Sequence, residues 1–381
     1  MDASLNKLEK GRYYKKIKLF TEQHTKYSLI LSVLIFIVII IGASLYANAL
    51  VYDYFTVKGQ PTGLGTHISF TATFDRYDTH HYLNIAQFGY KNKTDAAFLP
   101  IYPLAIRAIE RVTHISYLLA GFLVSWVALC GVIILVYKWL KLELDKRKIK
   151  LSPWTVLGII AIFPTSFYFV LPYTESLFML FNIGAIYAYR KDKYLTATIL
   201  AALASATRYQ GLVLGIFFLA DYLFTKKDRN WKKLIPILGV ACGFIIYMIF
   251  LKLHYGSPFE FITAEKSWNR LSGNYVKNLI LTFRPIYVWY LAVLITALIS
   301  TWKYLGKAYF FYCLIFILLP FSSGSFASFN RYMLILLPML LALTIYGKNK
   351  FSHQAQLLYI SSSVFLLAWS VLLFANGYWV A

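Results

Sequence analysis

Long apolar runs separated by short polar segments dominate the pattern of this chain. A helix needs about 20 apolar residues to cross the hydrocarbon core of a membrane, and such runs recur almost to the C-terminus. The pattern therefore predicts an all-α polytopic membrane protein with about eleven transmembrane helices. We place them at 29–50, 116–137, 154–171, 174–189, 194–207, 210–224, 234–252, 286–302, 308–321, 332–346 and 356–376. The fifth and tenth are short, as tilted, broken or re-entrant segments would be.

The positive charges agree with this count. The chain carries 38 Lys and Arg against 16 Asp and Glu, a formal net charge of +22. If the N-terminus is inside, the inner segments hold 25 of the 38 cations, although the outer loops are longer. The positive-inside rule expects this bias, so the charge indicates a membrane orientation and no nucleic-acid partner. We expect a cytoplasmic N-terminus and an outside C-terminus. The inner segments are 1–28, 138–150, 190–193, 225–233, 302–307 and 347–355.

We expect residues 1–381 to form a single integral membrane domain. The basic tail 1–28 precedes an apolar run that is longer than a cleavable signal core, which indicates an uncleaved signal anchor. Residues 51–115 form a first large outer loop and residues 253–285 a second. The inner loops leave no room for a folded domain, so any chemistry is expected on the outer side or within the membrane.

Two carboxylates, Asp75 and Asp78, lie three residues apart in the first outer loop. A carboxylate can take the proton from a hydroxyl that attacks an anomeric carbon, and a phosphate leaving group needs no general acid. Asp78 is the favoured general base. Asp75 could share this role or orient the Asp78 side chain. The alternative is that one of them only pairs with Arg76 or caps a helix.

His80 and His81 follow in the same loop. Together with the two aspartates they could bind a divalent metal. However, the spacing is no recognised ligand pattern, and neighbouring side chains on a helix point about 100° apart. We expect hydrogen bonding to sugar or phosphate, or interfacial packing, and no required cofactor. A divalent metal is the alternative.

Three further charges are placed near the outer leaflet. Arg208 and Arg331 would suit a lipid-linked phosphate, because a guanidinium offers bidentate hydrogen bonds. Snorkelling of the side chain to the membrane surface is the alternative explanation, and we favour the functional role. Glu175 opens a helix after Leu171-Pro172-Tyr173-Thr174, where it is either functional or complements the helix dipole.

The outer loops also carry aromatic residues that suit sugar binding or membrane anchoring. Tyr102 lies in the turn Phe98-Leu99-Pro100-Ile101-Tyr102-Pro103, which is followed by an amphipathic stretch. Such stretches are typical of helices lying along a membrane interface. Trp268, in the second large loop, either stacks on a sugar ring or anchors the chain at the interface.

In these motifs the chain resembles the GPI mannosyltransferase II (PIG-V) family of the GT-C superfamily. The first motif reads Arg76-Tyr77-Asp78-Thr79-His80-His81-Tyr82-Leu83, then Ile85-Ala86 and Gly89-Tyr90. It departs from the family pattern only at Tyr77, where Trp is usual. The resemblance covers about residues 30–346. The other matches are Phe98 to Pro103, Tyr173-Thr174-Glu175-Ser176-Leu177-Phe178, Thr207-Arg208 with Gln210-Gly211, then Gly256, Phe261, Trp268, Arg270, Arg331-Tyr332 and Pro338.

The resemblance implies an inverting hexosyltransferase with a GT-C-like bundle that uses a polyprenyl-phosphate-linked sugar, mannose above all, on the outer face. It places the catalytic aspartate on Asp78. The acceptor would be a glycolipid, polymer or protein. We expect the protein itself in a bacterial plasma membrane, or alternatively in the endoplasmic reticulum membrane. Competing hypotheses are a transporter or flippase of a lipid-linked saccharide and an inactive assembly subunit. The expected donor-phosphate residues are Arg208, Arg331 and Arg270, and the expected substrate contacts are His80, His81, Tyr82, Tyr102, Glu175, Gln210 and Trp268.

Overall fold

The computed structural model describes residues 25, 27–47, 70–225, 230–267, 286–322 and 328–380, and all their regular structure is helical. Short 3₁₀ turns at Lys93–Ala97, Ser166–Phe169, Tyr209–Val213 and Trp231–Leu234 connect α-helices. The α-helices are α1 Tyr27–Ala47, α2 Phe70–Phe74, α3 Asp78–Phe88, α4 Ile101–Thr113, α5 Tyr117–Lys146, α6 Pro153–Ala161, α7 Glu175–Arg190, α8 Tyr194–Thr207, α9 Leu214–Phe224, α10 Ile235–Tyr255, α11 Glu260–Lys266, α12 Ile286–Leu305, α13 Lys307–Ser322, α14 Phe329–Ile335, α15 Leu337–Lys350 and α16 His353–Ala375.

Several of these helices are long and apolar enough to cross a membrane. Within the described ranges they are α1, α5, the segment Trp231–Tyr255 that contains α10, and α16. A fifth span results if α14 and α15, which meet at 79°, are one broken crossing. The chain is therefore an all-helical, multi-pass membrane protein. The higher count of eleven stays a prediction, because helices such as α8 and α9 are shorter than a full crossing.

Two segments differ from the sequence-based prediction. The expected span 154–171 is not one helix, since α6 ends at Ala161 and a 3₁₀ turn follows. Pro164 explains the break, because proline lacks an N–H and disfavours helical geometry in the preceding residue. The second segment is 138–150, which was expected to be an inner loop. Helix α5 continues through most of it, to Lys146. Trp139 and Glu143, both 0% exposed, extend its buried face.

Small residues allow α8 and α10 to pack closely. Ala197 and Ala201 are buried in α8, and two glycines of α10 face this helix. A Cβ added at Gly243 would lie 2.1 Å from the Ala202 carbonyl oxygen, and one at Gly239 would lie 2.1 Å from that of Thr198. Small residues permit such approach between membrane helices. Helices α5, α7, α8 and α10 pack in this order, which brings the start of α7 beside the end of α8.

Candidate active site

A fully buried carboxylate, that of Glu175, joins two arginines at one end of the bundle. Glu175 is the first residue of α7 and is 0% exposed. Its Oε1 accepts hydrogen bonds from Arg208 Nη1 at 2.8 Å and from Arg331 Nη2 and Nε at 2.6 and 3.0 Å. An unpaired buried charge is costly. These contacts therefore make the three side chains one electrostatic unit.

Asp78 joins this unit through Arg331. Arg331 Nη1 donates to Asp78 Oδ2 at 2.8 Å, and the side chains of Arg331 and Asp78 are 3% and 30% exposed. Two carboxylates and two guanidinium groups therefore meet with balanced formal charge. Of the two carboxylates, only that of Asp78 is in contact with solvent. The structure thus gives Glu175 a counter-ion position and leaves Asp78 accessible.

The C-terminal segment, residues 375–380, fixes the backbone just before Asp78. Tyr77 has a φ of 54°, in the left-handed region that a non-glycine residue seldom adopts. Its hydroxyl donates to the Gly377 carbonyl, and its ring packs edge-on against Trp379 with centroids 4.9 Å apart. Arg76 Nη1 donates to the Ala375 carbonyl at 3.0 Å. These contacts hold the strained turn from which α3 and Asp78 begin.

A cavity of about 330 Å³ opens beside this cluster. The first residues of α3, the segment after α8, α14 and the C-terminal segment all contribute to its wall. Its polar lining comprises Asp78, Thr207, Arg208, Gln210, Ser328, Arg331, Glu265 and His81. Its aromatic lining comprises Tyr77, Tyr82, Phe98, Tyr209, Tyr332 and Trp379. A wall that combines charged groups with aromatic rings makes a site suited to a charged, ring-shaped ligand.

His81 lies in this wall as a neutral ring. It stacks on Phe98 with centroids 4.6 Å apart. Burial lowers the pKa of the His81 imidazole, and the nearby Asp78 charge only partly opposes that shift. The ring therefore stays neutral at pH 7, able to exchange hydrogen bonds with a hydroxyl group but adding no positive charge.

The structure brings together seven of the residues expected from the sequence. Six line the cavity and Glu175 lies directly behind it, bonded to both arginines. These seven are Asp78, His81, Tyr82, Glu175, Arg208, Gln210 and Arg331.

Three other expected residues lie away from the cavity lining. Asp75 and His80, two of the three, contact each other instead, with Asp75 Oδ1 and His80 Nδ1 3.2 Å apart. Tyr102 is 0% exposed, and its hydroxyl contacts the Gly121 carbonyl and Ser125 Oγ at 3.1 and 2.8 Å. Trp268 and Arg270 fall outside the described residues, so their predicted roles stay predictions.

Sequence reasoning missed several residues of the cavity wall. Trp379 lies beyond the last apolar run, and its ring lies 5.4 Å from the guanidinium carbon of Arg331. Tyr332 was matched only as part of the motif Arg331-Tyr332, and its ring centroid lies 5.6 Å from the guanidinium carbon of Arg208. Glu265 of α11, which the sequence indicated only as one of several acidic residues, also lines the cavity. An aromatic pair after the final span is the signal that could have pointed to Trp379.

The cluster is suited to binding a phosphate and accepting a proton. Among the described residues, no group of three or more His, Cys, Asp or Glu side chains is placed to hold a metal ion. Positive charge comes from Arg208 and Arg331, which can donate charge-assisted hydrogen bonds to an anion. The accessible carboxylate of Asp78 lies next to them. This combination fits transfer of a group from a phosphate to a hydroxyl.

Comparison with known proteins gives one family. The chain matches the family model described as Mannosyltransferase (PIG-V) over residues 65–256, half of its length. No curated protein and no solved structure matches it. The matched range contains Asp78, Glu175 and Arg208, and it ends before Arg331.

Proposed function

The chain belongs to the mannosyltransferase (PIG-V) family, and from that premise we propose that it transfers mannose from a polyprenyl-phosphate-linked donor to an acceptor hydroxyl on the outer face. The family supports a glycosyltransferase in general. The observation that carries the finer proposal is the cavity itself, where Asp78 lies beside Arg208 and Arg331. The acceptor would be a glycolipid, polymer or protein.

Asp78 acts as the general base. Its Oδ2 is held by Arg331, so Oδ1 takes the proton of the acceptor hydroxyl. The acceptor oxygen then forms a bond to the anomeric carbon as the bond from that carbon to the donor phosphate oxygen breaks. The polyprenyl phosphate leaves with the bonding electron pair, and the configuration inverts. Asp75 is not assigned this role, because its carboxylate contacts His80 away from the cavity.

The two arginines bind the donor phosphate in this mechanism. Both pair with Glu175, yet both also line the cavity. A guanidinium has five N–H donors, so donors remain for a phosphate. Gln210 supports a polar ligand as well, because its buried Nε2 has no hydrogen-bond partner among the described residues. His81 and Tyr82 would contact the sugar. Arg270 and Trp268 are proposed for the same roles on sequence grounds alone.

The proposed architecture is a single GT-C-like domain of about eleven spans in a bacterial plasma membrane. The amphipathic α4 would lie along the outer interface. The candidate site lies at the N-terminal end of α7, whereas Arg190, Lys191 and Lys193 follow at the other end. The positive-inside rule then places the site outside and those cations inside.

Cysteine labelling tests this orientation. Arg111→Cys in α4 and Asp145→Cys in α5 both replace exposed side chains, in a background whose three natural cysteines are changed to alanine. A membrane-impermeant maleimide added to intact cells is expected to label position 111 and to spare position 145. Labelling of 145 without 111 would reverse the topology. Lysed cells, in which both positions should react, provide the control.

Turnover with defined donors tests the function. Purified protein is expected to transfer mannose from a synthetic polyprenyl-phosphate mannose to members of an acceptor panel. Transfer should continue in EDTA, because the arginines supply the positive charge.

Arg208→Ala should weaken donor binding about 10- to 150-fold, the loss typical of a charge-assisted contact. Arg111→Ala, an exposed arginine off the cavity, is the matched control. Movement of the intact donor across vesicles without sugar transfer would favour a flippase instead.

A further inference from the structure

A second cavity, of about 560 Å³, opens at the other end of α7. Helix α7 runs from Glu175 to Arg190, and its rise of about 1.5 Å per residue separates these two residues by roughly 22 Å. The ends of α5, α7 and α9 and the junction of α12 with α13 meet here. The second cavity is thus separate from the candidate active site.

A buried ionic network forms the floor of this second cavity. Glu143 is 0% exposed and pairs with Arg147 and with Arg190, whose Nε lies 3.2 Å from Glu143 Oε1. Tyr309 donates its hydroxyl to the same carboxylate at 2.5 Å. Arg190 also pairs with Asp221 at 2.6 Å. The network holds both guanidinium groups in fixed positions at the cavity wall, as a preorganised anion site requires.

The charge of the second cavity favours an anion. Five cations from four parts of the fold line it: Lys146, Arg147, Arg190, Lys233 and Lys307. Among the residues that the structure describes, the carboxylates nearby are Glu143, Asp192 and Asp221, so the described lining has a formal excess of two positive charges. Lys146 and Lys307 are exposed at the entrance. A concave site with this excess attracts and orients phosphate oxygens.

Large apolar side chains border the same entrance. Phe224 lines the cavity and is 44% exposed, and Lys307 Nζ lies 4.8 Å from the centroid of its ring. Trp302, 45% exposed, faces the same ammonium at 5.4 Å. Exposed tryptophans are typical of the level of lipid headgroups. A phosphate bound in the cavity would therefore lie next to a surface suited to acyl chains.

We propose that this second cavity binds a phosphate group, that of an anionic phospholipid or of a small soluble phosphate ester. Basic pockets between membrane helices on the cytoplasmic side are a recognised means of holding acidic lipid headgroups. The site is independent of the glycosyl transfer, since it shares no lining residue with the first cavity. A lipid bound there would join the ends of α5, α7, α9 and α13.

Native mass spectrometry of the purified full-length protein tests the site. The probes are dioctanoyl phosphatidylglycerol, dioctanoyl glycerol, which has the same chains and no phosphate, and glycerol 3-phosphate. The variant Lys146→Gln with Lys307→Gln removes the two entrance charges. The matched control, Lys141→Gln with Lys303→Gln, changes exposed lysines of α5 and α12 that lie off the cavity.

Phosphatidylglycerol is expected to bind the wild type and the control variant alike. The cavity variant should bind it about 30-fold more weakly, the effect of two lysines near an anionic headgroup. Competition by glycerol 3-phosphate would show that a small phosphate ester is sufficient for binding, and failure to compete would show that the site requires the acyl chains of the lipid. Equal binding by both variants, equal binding of dioctanoyl glycerol, or no phosphate binding would overturn the proposal.

Discussion

Asp78→Asn is expected to lower turnover about 10²- to 10⁴-fold, the usual contribution of a positioned general base. The amide keeps the size of the side chain and an oxygen that can accept the Arg331 hydrogen bond, but it cannot take a proton from the acceptor. Donor affinity should stay within a few-fold of the wild type, because the arginines remain. The measurement is single-turnover transfer from polyprenyl-phosphate mannose, with donor binding measured separately.

Asp75→Asn is the matched control for this result. Its carboxylate lies three residues earlier and contacts only the exposed His80 among the described side chains. Its turnover should fall far less than that of the Asp78 variant. Loss of turnover in the Asp75 variant with near-normal turnover in the Asp78 variant would move the base to Asp75. Near-normal turnover in both would remove the catalytic interpretation of this loop.

The second large effect concerns stability. Glu175→Gln should destabilise the fold by about 3–5 kcal/mol, the range found when one partner of a buried ion pair is removed. Glutamine keeps an oxygen where Arg208 and Arg331 donate, and its amide replaces Oε2, which has no hydrogen-bond partner among the described residues. The change therefore removes charge with little change in shape. Thermal unfolding in detergent measures the loss.

Glu260→Gln provides the comparison for this variant. Glu260 is also buried, but its partner Lys93 is 3.7 Å away and largely exposed. This contact is longer than those of Glu175 and its cation is largely in solvent, so unfolding should change less than in the Glu175 variant. Equal unfolding temperatures for the two variants would contradict the role of Glu175 as the counter-ion of the two arginines.

The helices could be predicted from the sequence because apolar runs directly limit where they lie. Helices are observed where the spans 174–189 and 234–252 were expected, as α7 and α10, and of these two only the segment containing α10 is long enough to cross a membrane. The exceptions have local causes. Pro164 ends the helix expected to continue to 171, and the buried Glu143 lies in a stretch whose charge indicated a loop. A buried, paired carboxylate has the same appearance in the sequence as an exposed one.

The pairing within the site could not be predicted in the same way. Asp78, Glu175, Arg208 and Arg331 were each singled out, yet nothing in the sequence showed that Glu175 accepts from both arginines. Those contacts join residues up to 156 positions apart. A periodicity argument predicts where helices lie, but not which distant side chains meet. Trp379 was missed because it lies outside every apolar run and motif, and only the folded chain shows its contacts with Tyr77 and Arg331.

The contacts of the C-terminal segment also mean that the candidate site is completed late in biosynthesis. Arg331 reaches Asp78 across 253 positions, and Tyr77 reaches Gly377 across 300. The segment that carries Asp78 is synthesised long before Arg331 and Trp379. The candidate site is therefore incomplete until Arg331 and the residues after α16 have been synthesised. A fragment limited to residues 65–256 would keep the family signature and lack the arginine that holds Asp78.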